Sequence, residues 1–333
     1  MRRILFVLGS DYLPASINGS NVSIHALCRR LVAAGFEPLV ACAPDRATAR
    51  RPSVGVWSAP TYPILRLGDP VEAMKEMIAR LKPEAVVLRG PVRAAEWAMA
   101  SGHPLHIYFA SDFHAHGFPS PREAPNLRYA ANSPFLVRLA EAYFGAPVAL
   151  VPCLIEPAEY RCERTGEAVL FVNPVALKGV HIAAAIAARL PHRQFLFVHS
   201  WPDDARHRHS DIRLPNVEWA ETTLDMRPLF ARTKLVLMPS VWEESSGRTL
   251  GEAQLSGIPA VASDRGGLRD SVGPGGVVIL LGDPIERWCE AVEALFTDEV
   301  RYATLSRLAR QHADRPEYVP ERVVARFLEF IAS

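Results

Sequence analysis

Short apolar runs bounded by turn residues alternate with segments of helical periodicity along most of the chain. Apolar runs that helices separate in this way are typical of parallel sheets with helices on both faces. The runs lie at residues 4–8, 38–43, 84–88, 105–110 and 148–152 in the first half, and at 168–173, 194–200, 234–240, 260–263 and 276–281 in the second. The pattern therefore predicts an α/β protein with two sheets of similar plan.

Two segments stand outside this alternation. Residues 155–167 are polar and carry no apolar periodicity, which predicts a linker between two domains. Residues 316–333 place apolar side chains on one helical face, which predicts a final amphipathic helix. Those side chains are Val323, Val324, Phe327, Leu328 and Ile331. The length of 333 residues also favours two domains, because it exceeds the usual size of one hydrophobic core.

Charge and cysteine content narrow the class of protein. The 37 Lys and Arg side chains balance 36 Asp and Glu side chains, which gives no electrostatic reason to expect nucleic acid as a partner. The five cysteines are scattered and include no C-x-x-C pair, which favours a reducing, cytoplasmic setting over a disulfide framework. No apolar run reaches the roughly 18 residues of a membrane-spanning helix, so we expect at most peripheral contact with a membrane.

The strand predicted at 234–240 leads into a loop at 241–246 and then a helix at 247–256, which Gly257 is placed to end. In parallel sheets, ligands bind outside the carboxyl ends of the strands, where helix N-termini present unpaired N–H groups to anions. The backbone N–H groups of Gly247, Arg248 and Thr249 are therefore candidate hydrogen-bond donors to a phosphate. Gly247 would also let a phosphate approach the backbone closely.

Two carboxylates, Glu244 and Glu252, flank the start of this predicted helix with seven residues between them. Carboxylates repel a phosphate unless they face neutral parts of the ligand, so hydroxyls of a sugar and a ribose suit them better. In the alternative interpretation, Glu244 is a solvated loop acid and Glu252 a surface helix residue, because acids near a helix start are favoured electrostatically. The pair alone leaves both interpretations open.

The longer stretch "PSVWEESSGRTLGEAQLSGIPAVASDRGG", Pro239 to Gly267, resembles the donor-site signature of glycosyltransferase family 4. Members of this family are retaining glycosyltransferases with the GT-B fold, and their E-x7-E pair falls on Glu244 and Glu252. Further stretches that resemble the family occur near the start and at residues 130–160 and 171–191. The resemblance implies two Rossmann-like domains facing each other across a cleft. They are an acceptor domain at 1–154 and a nucleotide-sugar donor domain at 155–315, and a helix at 316–333 crosses back to the first.

The resemblance also implies roles for residues of the second half. Glu252 would accept hydrogen bonds from the ribose hydroxyls of a nucleotide sugar, and Glu244 from a hydroxyl of the donor sugar. Lys178 would hold the diphosphate, which suits a lysine after the first strand of that domain because its charge can neutralise a leaving group. Thr222, within "ETT", lies where the family holds the base.

In the first half, Gly19 and Ser20 resemble the family's Gly-Gly loop that faces the cleft. Ser20 is also a candidate N-cap for the helix that follows. The family commonly has a histidine at the end of the fourth strand, near the reacting carbon. Here Asp112 lies at about that place and His114 slightly beyond, so both are candidate catalytic residues. With His116 they could also suggest a metal, but clustered polar loop residues are commoner, and the resemblance implies a reaction without a metal or other cofactor.

Two departures from the family pattern concern the donor. Asn173 stands where the family often has arginine, so one cationic contact to the diphosphate is either missing or supplied by Arg248. Ser246 stands where an aromatic residue usually precedes Gly247. Both positions remain candidate donor contacts.

Taken together, these features predict a cytoplasmic, retaining, metal-independent glycosyltransferase that uses a nucleotide-diphosphate sugar and an unidentified hydroxyl acceptor. The alternative is a catalytically silent GT-B-like protein that binds sugar nucleotides or acts as a scaffold, which the departures from the family pattern leave open. A nicotinamide-dependent oxidoreductase is disfavoured, because the loop after the first strand lacks G-x-G-x-x-G.

Overall fold

The computed structural model describes residues 2–43, 61–89, 92–110, 117–200 and 212–333. These residues form two units. Unit 1 holds the described residues up to Leu154 together with Glu317–Ser333, and unit 2 holds the described residues of Ile155–Pro316.

Unit 1 is built on a parallel sheet whose described strands follow the order β3-β2-β1-β4-β5-β6-β7. The strands are β1 (Arg2–Leu8), β2 (Phe36–Cys42), β3 (Ile64–Arg66), β4 (Ala85–Arg89), β5 (Leu105–Phe109), β6 (Leu127–Ala131) and β7 (Ala149–Leu150). The helices between them are α1 (Gly19–Ala33), α2 (Pro70–Leu81), α3 (Val92–Ser101) and α4 (Pro134–Phe144). Strands β1 and β4 pair although two strands separate them in sequence, so their carboxyl ends form the topological switch point of unit 1.

The start of α1 is set by a polar cap. The Asn18 side chain accepts a hydrogen bond from the backbone N–H of Asn21 at 3.0 Å, which satisfies one of the free donors of the first turn. The Ser20 hydroxyl donates to the same Asn18 oxygen at 2.8 Å. The expectation that Ser20 itself is the N-cap is therefore wrong, because Asn18 is the N-cap and the helix begins at Gly19.

Unit 2 contains a second parallel sheet, with its described strands in the order β10-β9-β8-β11-β12-β13. The strands are β8 (Ala168–Val172), β9 (Phe195–Val198), β10 (Val217–Ala220), β11 (Thr233–Met238), β12 (Ala260–Ser263) and β13 (Gly276–Ile279). The helices are α5 (Pro157–Tyr160), α6 (Val180–Arg189), α7 (Arg227–Ala231), α8 (Arg248–Gln254), α9 (Leu268–Val272), α10 (Ile285–Thr297) and α11 (Glu299–Ala313). Short 3₁₀ helices cover Ala176–Lys178, Gly273–Gly275 and Pro316–Tyr318. Apolar clusters on both faces of the sheet form the core.

The last helix, α12 (Pro320–Ala332), belongs to unit 1. The Phe327 ring stacks on that of Phe6 in β1 with centroids 5.7 Å apart, and the Phe330 ring meets the His106 ring edge-on at 5.2 Å. Phe330 is buried while Ile331 is only half-buried, so the buried face of the helix is rotated from the predicted stripe. The aromatic contacts explain the rotation, because they bury more area than the aliphatic side chains would.

Each of the ten predicted apolar runs contains a strand, and the predicted α/β class is confirmed. Three strands were not predicted, namely β3, β6 and β10. The predicted linker differs from the structure as well. Residues 155–167 include helix α5, and Tyr160 at its end is buried, so part of this segment packs as a layer of unit 2.

Within the described ranges, no helix has both the length and the apolar character needed to cross a bilayer.

Candidate functional site

The order of strands in unit 2 locates a candidate site. Strands β8 and β11 lie side by side, and the chain leaves them toward opposite sides of the sheet. The crevice outside the carboxyl ends of two such strands is where parallel α/β sheets bind ligands. Lys178 follows β8, and the loop that carries Glu244 follows β11. The topology therefore brings these two candidate residues to one place, although 66 positions separate them.

Lys178 and Glu244 form an ion pair across this switch point. The Lys178 Nζ atom donates to Glu244 Oε1 at 2.6 Å, and the side chains are only 17% and 11% exposed. The Ser240 hydroxyl donates to the same carboxylate oxygen. Backbone contacts join the two segments, because the Leu177 carbonyl accepts from the N–H groups of Val241 and Trp242 at 3.1 Å. The arrangement fixes a lysine and a carboxylate in one place, and it excludes the interpretation of Glu244 as a solvated loop acid.

The Gly266–Gly267 pair contacts the backbone of the Glu244 loop. The Gly267 N–H donates to the Glu244 carbonyl at 2.7 Å. A Cβ atom at Gly266 would lie 2.3 Å from that carbonyl oxygen, and one at Gly267 would lie 2.2 Å from the Ser245 carbonyl oxygen. Real Cβ atoms do not approach oxygen so closely. The two glycines therefore allow the two backbones to touch, which is the physical reason for them at this position.

Gly247 allows the backbone conformation of the Glu244 loop. It adopts a φ of 52°, in the left-handed region, and a Cβ atom there would lie 2.8 Å from Leu268 Cδ2. Both facts require glycine, independently of any ligand. Helix α8 begins at the next residue and ends at Gln254, two residues before the predicted end at Ser256, and Gly257 follows in a turn with a φ of 68°. It stays a prediction that the N–H groups of Gly247, Arg248 and Thr249 donate hydrogen bonds to a phosphate.

Glu252 is buried in an ion pair with Arg248. The Arg248 Nε atom donates to Glu252 Oε1 at 2.6 Å, and the side chains are 6% and 8% exposed. Arg248 also donates from its terminal nitrogen to the Tyr160 hydroxyl at 3.1 Å. Burial raises the pKa of the Glu252 carboxyl, and the Arg248 guanidinium opposes that rise. The interpretation of Glu252 as a surface helix residue is therefore wrong. The expectation that the Arg248 side chain replaces a missing diphosphate contact also differs from the structure, since the guanidinium faces Glu252 and Tyr160.

Asn173 and Thr222 also lie at the carboxyl edge of this sheet. Asn173 follows β8, is 5% exposed and has a φ of 67°, a conformation that asparagine tolerates better than most residues. The Thr222 hydroxyl follows β10 and donates to the His199 carbonyl at 2.9 Å, which joins it to the end of β9. Ser246, in the Glu244 loop, accepts a hydrogen bond at its carbonyl from the Ser271 hydroxyl. Their donor-binding roles stay predictions.

The described candidates of unit 1, Gly19 and Ser20, lie at its own switch point. Gly19 is exposed at the start of α1, and Ser20 is 7% exposed. The Ser20 hydroxyl accepts a hydrogen bond from Arg89 at the end of β4, and Arg89 also donates to Asn21 Oδ1 at 2.8 Å. Asp112 and His114 lie outside the described residues. In the described part of the chain, no group of three His, Cys, Asp or Glu side chains is arranged to hold a metal ion.

Three residues of these sites were not identified from the sequence, namely Arg89, Tyr160 and Ser240. Arg89 directly follows the apolar run predicted at 84–88 and ends strand β4, and a basic residue at that position of a parallel sheet is a signal that could have been used. Ser240 likewise follows the end of a strand, β11, and it precedes the Glu244 loop. Tyr160 offers no such signal, because its partner Arg248 is 88 positions away.

The two parallel sheets and the site at the second switch point define a class: the chain has the GT-B fold of glycosyltransferases. The structure of Anabaena Alr3699/HepE in complex with UDP-glucose is similar with a TM-score of 0.78, over 100% of both chains, at 17% identity. Sucrose-phosphate synthase from Thermosynechococcus elongatus is similar with a TM-score of 0.77, also over 100% of both chains and at 17% identity. The GT-B fold that the sequence resemblance implies is confirmed, with one Rossmann-like parallel sheet in each unit.

The sequence of unit 2 is similar to a known family. Residues 166–298 match the family model described as Glycosyl transferases group 1. The chain is 38% identical over 87 residues to D-inositol 3-phosphate glycosyltransferase from Rhodococcus erythropolis, a match that covers 26% of this chain and 20% of that protein. It is also 38% identical over 97 residues to the protein of that name from Salinispora tropica, covering 28% and 19%. The matched region thus spans about a fifth of the length of these curated relatives.

Proposed function

We propose that the protein is a glycosyltransferase that moves a sugar from a nucleotide-diphosphate sugar to a hydroxyl acceptor. One observation carries this proposal. The ion pair of Lys178 and Glu244 lies at the switch point of a sheet within the segment that matches glycosyl transferases group 1. A cation for a diphosphate and an acceptor for a sugar hydroxyl are thereby held side by side. The catalytically silent alternative has no structural observation in its favour.

In this proposal, unit 2 binds the donor. Lys178 contacts the diphosphate, Glu244 accepts a hydrogen bond from a hydroxyl of the sugar, and Glu252 accepts hydrogen bonds from the ribose. A carboxylate offers about four acceptor positions, so the contacts of Glu244 to Lys178 and Ser240 leave capacity for a sugar hydroxyl. The same holds for Glu252, which Arg248 and the Tyr160 hydroxyl contact. Thr222 and Asn173 line the same edge of the sheet as candidate contacts to the base and the phosphates.

In the proposed reaction, the protein contributes mainly electrostatic stabilisation of the leaving group. As the bond between sugar and diphosphate breaks, negative charge builds up on the leaving oxygen, and a cation placed there lowers the barrier. Lys178 supplies that charge, so the proposed reaction needs no metal ion. Retention of configuration follows if the leaving oxygen assists the acceptor hydroxyl on the same face of the sugar. We place the reaction in the cytoplasm, because the five scattered cysteines suit a reducing compartment.

The test begins with donor binding. UDP-glucose is the first donor to try, because a protein of the same fold is solved in complex with it. A ligand present at about a hundred times its dissociation constant stabilises a protein by roughly 2.7 kcal/mol, which a thermal-shift screen of nucleotide sugars detects. A donor that binds is then incubated with candidate acceptors and with EDTA present, and the anomeric configuration of the product is read by NMR. Binding without turnover of any donor would favour the silent alternative, and a reaction abolished by EDTA would contradict metal independence.

A further inference from the structure

Glu252, the carboxylate proposed to bind the ribose, is paired with a cation. Glu252 lies one helical turn after Arg248 on the same face of α8, and their side chains meet at 2.6 Å. A buried carboxylate without a cation is strongly disfavoured, so Arg248 is what allows Glu252 to remain an anion and an acceptor at 6% exposure. Arg248 in turn needs a fixed position, because a guanidinium that moved would carry the carboxylate with it.

Tyr160 fixes that position. Its hydroxyl accepts a hydrogen bond from Arg248 at 3.1 Å, and the Arg248 guanidinium carbon lies 5.6 Å from the centre of the Tyr160 ring. The ring is 4% exposed and sits in the apolar cluster beneath α8. The Tyr160 main chain contacts the turn that follows α8, because its carbonyl accepts a hydrogen bond from the Ser256 hydroxyl at 3.3 Å.

Helix α8 cannot hold this geometry by itself, because a seven-residue helix is unstable without tertiary contacts. The segment before β8 provides those contacts. The Cys162 N–H donates to the Ser256 hydroxyl at 3.0 Å, and Gly251 packs on Ile155, where a Cβ atom would lie 3.0 Å from Ile155 Cδ1. The first residues of unit 2 therefore form the platform on which the two charged side chains are oriented.

From this geometry we infer that Tyr160 and Arg248 are positioning residues for ribose recognition: they hold the Glu252 carboxylate in the orientation from which it accepts the ribose hydroxyls of the donor. The inference rests on the proposed function. It makes nucleotide recognition depend on a phenol oxygen that does not itself touch the ligand. A buried ion pair with only a structural role would affect stability and leave the choice between ribose and deoxyribose unchanged.

Tyr160→Phe carries the test, because it removes one oxygen atom and keeps the ring. Arg248→Met is unsuitable, since it leaves Glu252 buried without a cation and is expected to unfold the protein. The chain offers a matched control in Tyr302→Phe. The Tyr302 hydroxyl also accepts from an arginine, Arg164, but it lies beside Lys234 at the start of β11, at the opposite edge of the sheet.

The measurement is calorimetric titration of wild type and both variants with UDP, GDP and ADP and with their 2′-deoxy analogues. We expect wild type to prefer the ribonucleotide that it binds by about tenfold or more, because a hydrogen bond to a charged group is lost with the 2′ oxygen. Tyr160→Phe should reduce that preference to about threefold or less by loosening the carboxylate, while Tyr302→Phe should keep the wild-type value.

The remaining outcomes are distinguishable. Full ribose preference in Tyr160→Phe overturns the inference, and so does an equal loss in Tyr160→Phe and Tyr302→Phe, which would mark a general loosening of unit 2. A wild-type protein that binds diphosphates without ribose preference overturns the ribose role of Glu252 and the inference with it, and leaves donor binding intact. A wild-type protein that binds none of the nucleotides overturns the proposed function itself.

Discussion

The ion pair of Lys178 and Glu244 shows how single residues can prepare a site before any ligand arrives. Each charge satisfies the other at 2.6 Å in surroundings that exclude most water, so neither pays the full cost of burial. In the proposed function, a diphosphate takes over the lysine and a sugar hydroxyl joins the carboxylate. Donor binding is then an exchange of partners, and it requires little rearrangement of the backbone.

The first prediction concerns Lys178→Ala, which should weaken binding of the nucleoside diphosphate by about 1.5–3 kcal/mol and slow sugar transfer, because a charge-assisted hydrogen bond to phosphate is lost. Titration calorimetry and initial rates measure the two effects. Lys234→Ala is the control, since Lys234 is also 17% exposed and ion-paired, with Glu167 at 3.0 Å, but stands at the start of β11. If Lys178→Ala and Lys234→Ala give the same isotherm, Lys178 has no place in the site.

Substitutions of the two carboxylates should have different effects, because each carboxylate is proposed to bind a different part of the donor. Glu252→Gln keeps an oxygen acceptor for Arg248 but removes the anion of a buried ion pair, so we expect a lower melting temperature. In the protein that remains folded, the dissociation constant of the nucleotide should rise about tenfold, because ribose loses a charged acceptor. Glu244→Gln should leave nucleotide binding near the wild-type value and lower the rate of sugar transfer. Each variant serves as the control for the other, with nucleotide affinity and turnover measured on both. Two variants that bind and react like wild type would show that neither carboxylate contacts the donor.

At the scale of elements, the Glu244 loop depends on the backbone of a neighbouring segment. Gly267→Ala introduces a Cβ atom 2.2 Å from the Ser245 carbonyl oxygen, so the loop must shift. Overpacking of this kind costs about 1–3 kcal/mol, and we expect a lower melting temperature together with weaker donor binding. Gly282→Ala is the control, because a Cβ atom there meets nothing within 4 Å. A Gly267→Ala protein as stable and as active as Gly282→Ala would mean that the loop is not held by this contact.

Helix α12 supports unit 1 mainly through aromatic packing. Phe327 is 0% exposed and stacks on Phe6, so Phe327→Ala should destabilise unit 1 by about 3–5 kcal/mol through a lost transfer term and a cavity. Urea unfolding followed by circular dichroism measures the loss. Glu329→Ala, an exposed position of the same helix, is expected to change the midpoint little. Equal midpoints for the two variants would contradict a structural role for the helix.

The sequence predicted the elements best where periodicity is strong. The apolar run at residues 4–8 of strand β1 and its equivalents are read directly from the chain, because strands buried on both faces leave continuous apolar runs. Strand β10, "VEWA", escaped prediction because it is a short edge strand without a fully buried residue. In the site, Lys178, Glu244 and Glu252 were identified from their motif. The partners of Glu252 were not, because the contact between Tyr160 and Arg248 is made only by the folded chain.

At the scale of the whole molecule, acid should destabilise the protein through a buried histidine. Burial lowers the pKa of the His106 imidazole from 6.5 to about 4, so between these values the unfolded chain binds a proton that the folded chain does not. Stability from this group is therefore complete above pH 6.5 and falls by about 3 kcal/mol as the pH drops to 4. His106 lies against Phe330, so the loss should appear in unit 1.

Urea midpoints between pH 7.5 and pH 4.5 test this expectation. His106→Leu removes the titrating group and keeps an apolar side chain, so its midpoint should fall less steeply with acid than that of wild type. Measurement at pH 7.5 is the control, since it reports the packing cost of the substitution alone. Parallel curves for wild type and His106→Leu would assign the acid loss to other groups.

The support that Gly266 and Gly267 give to the Glu244 loop bears on how such a protein diverges. A loop whose path is imposed by a neighbouring backbone can exchange its own side chains without losing that path. In the proposed function, side chains at positions 245 and 246 can then vary, and the sugar that the loop admits can change, while the Lys178–Glu244 pair stays where it is.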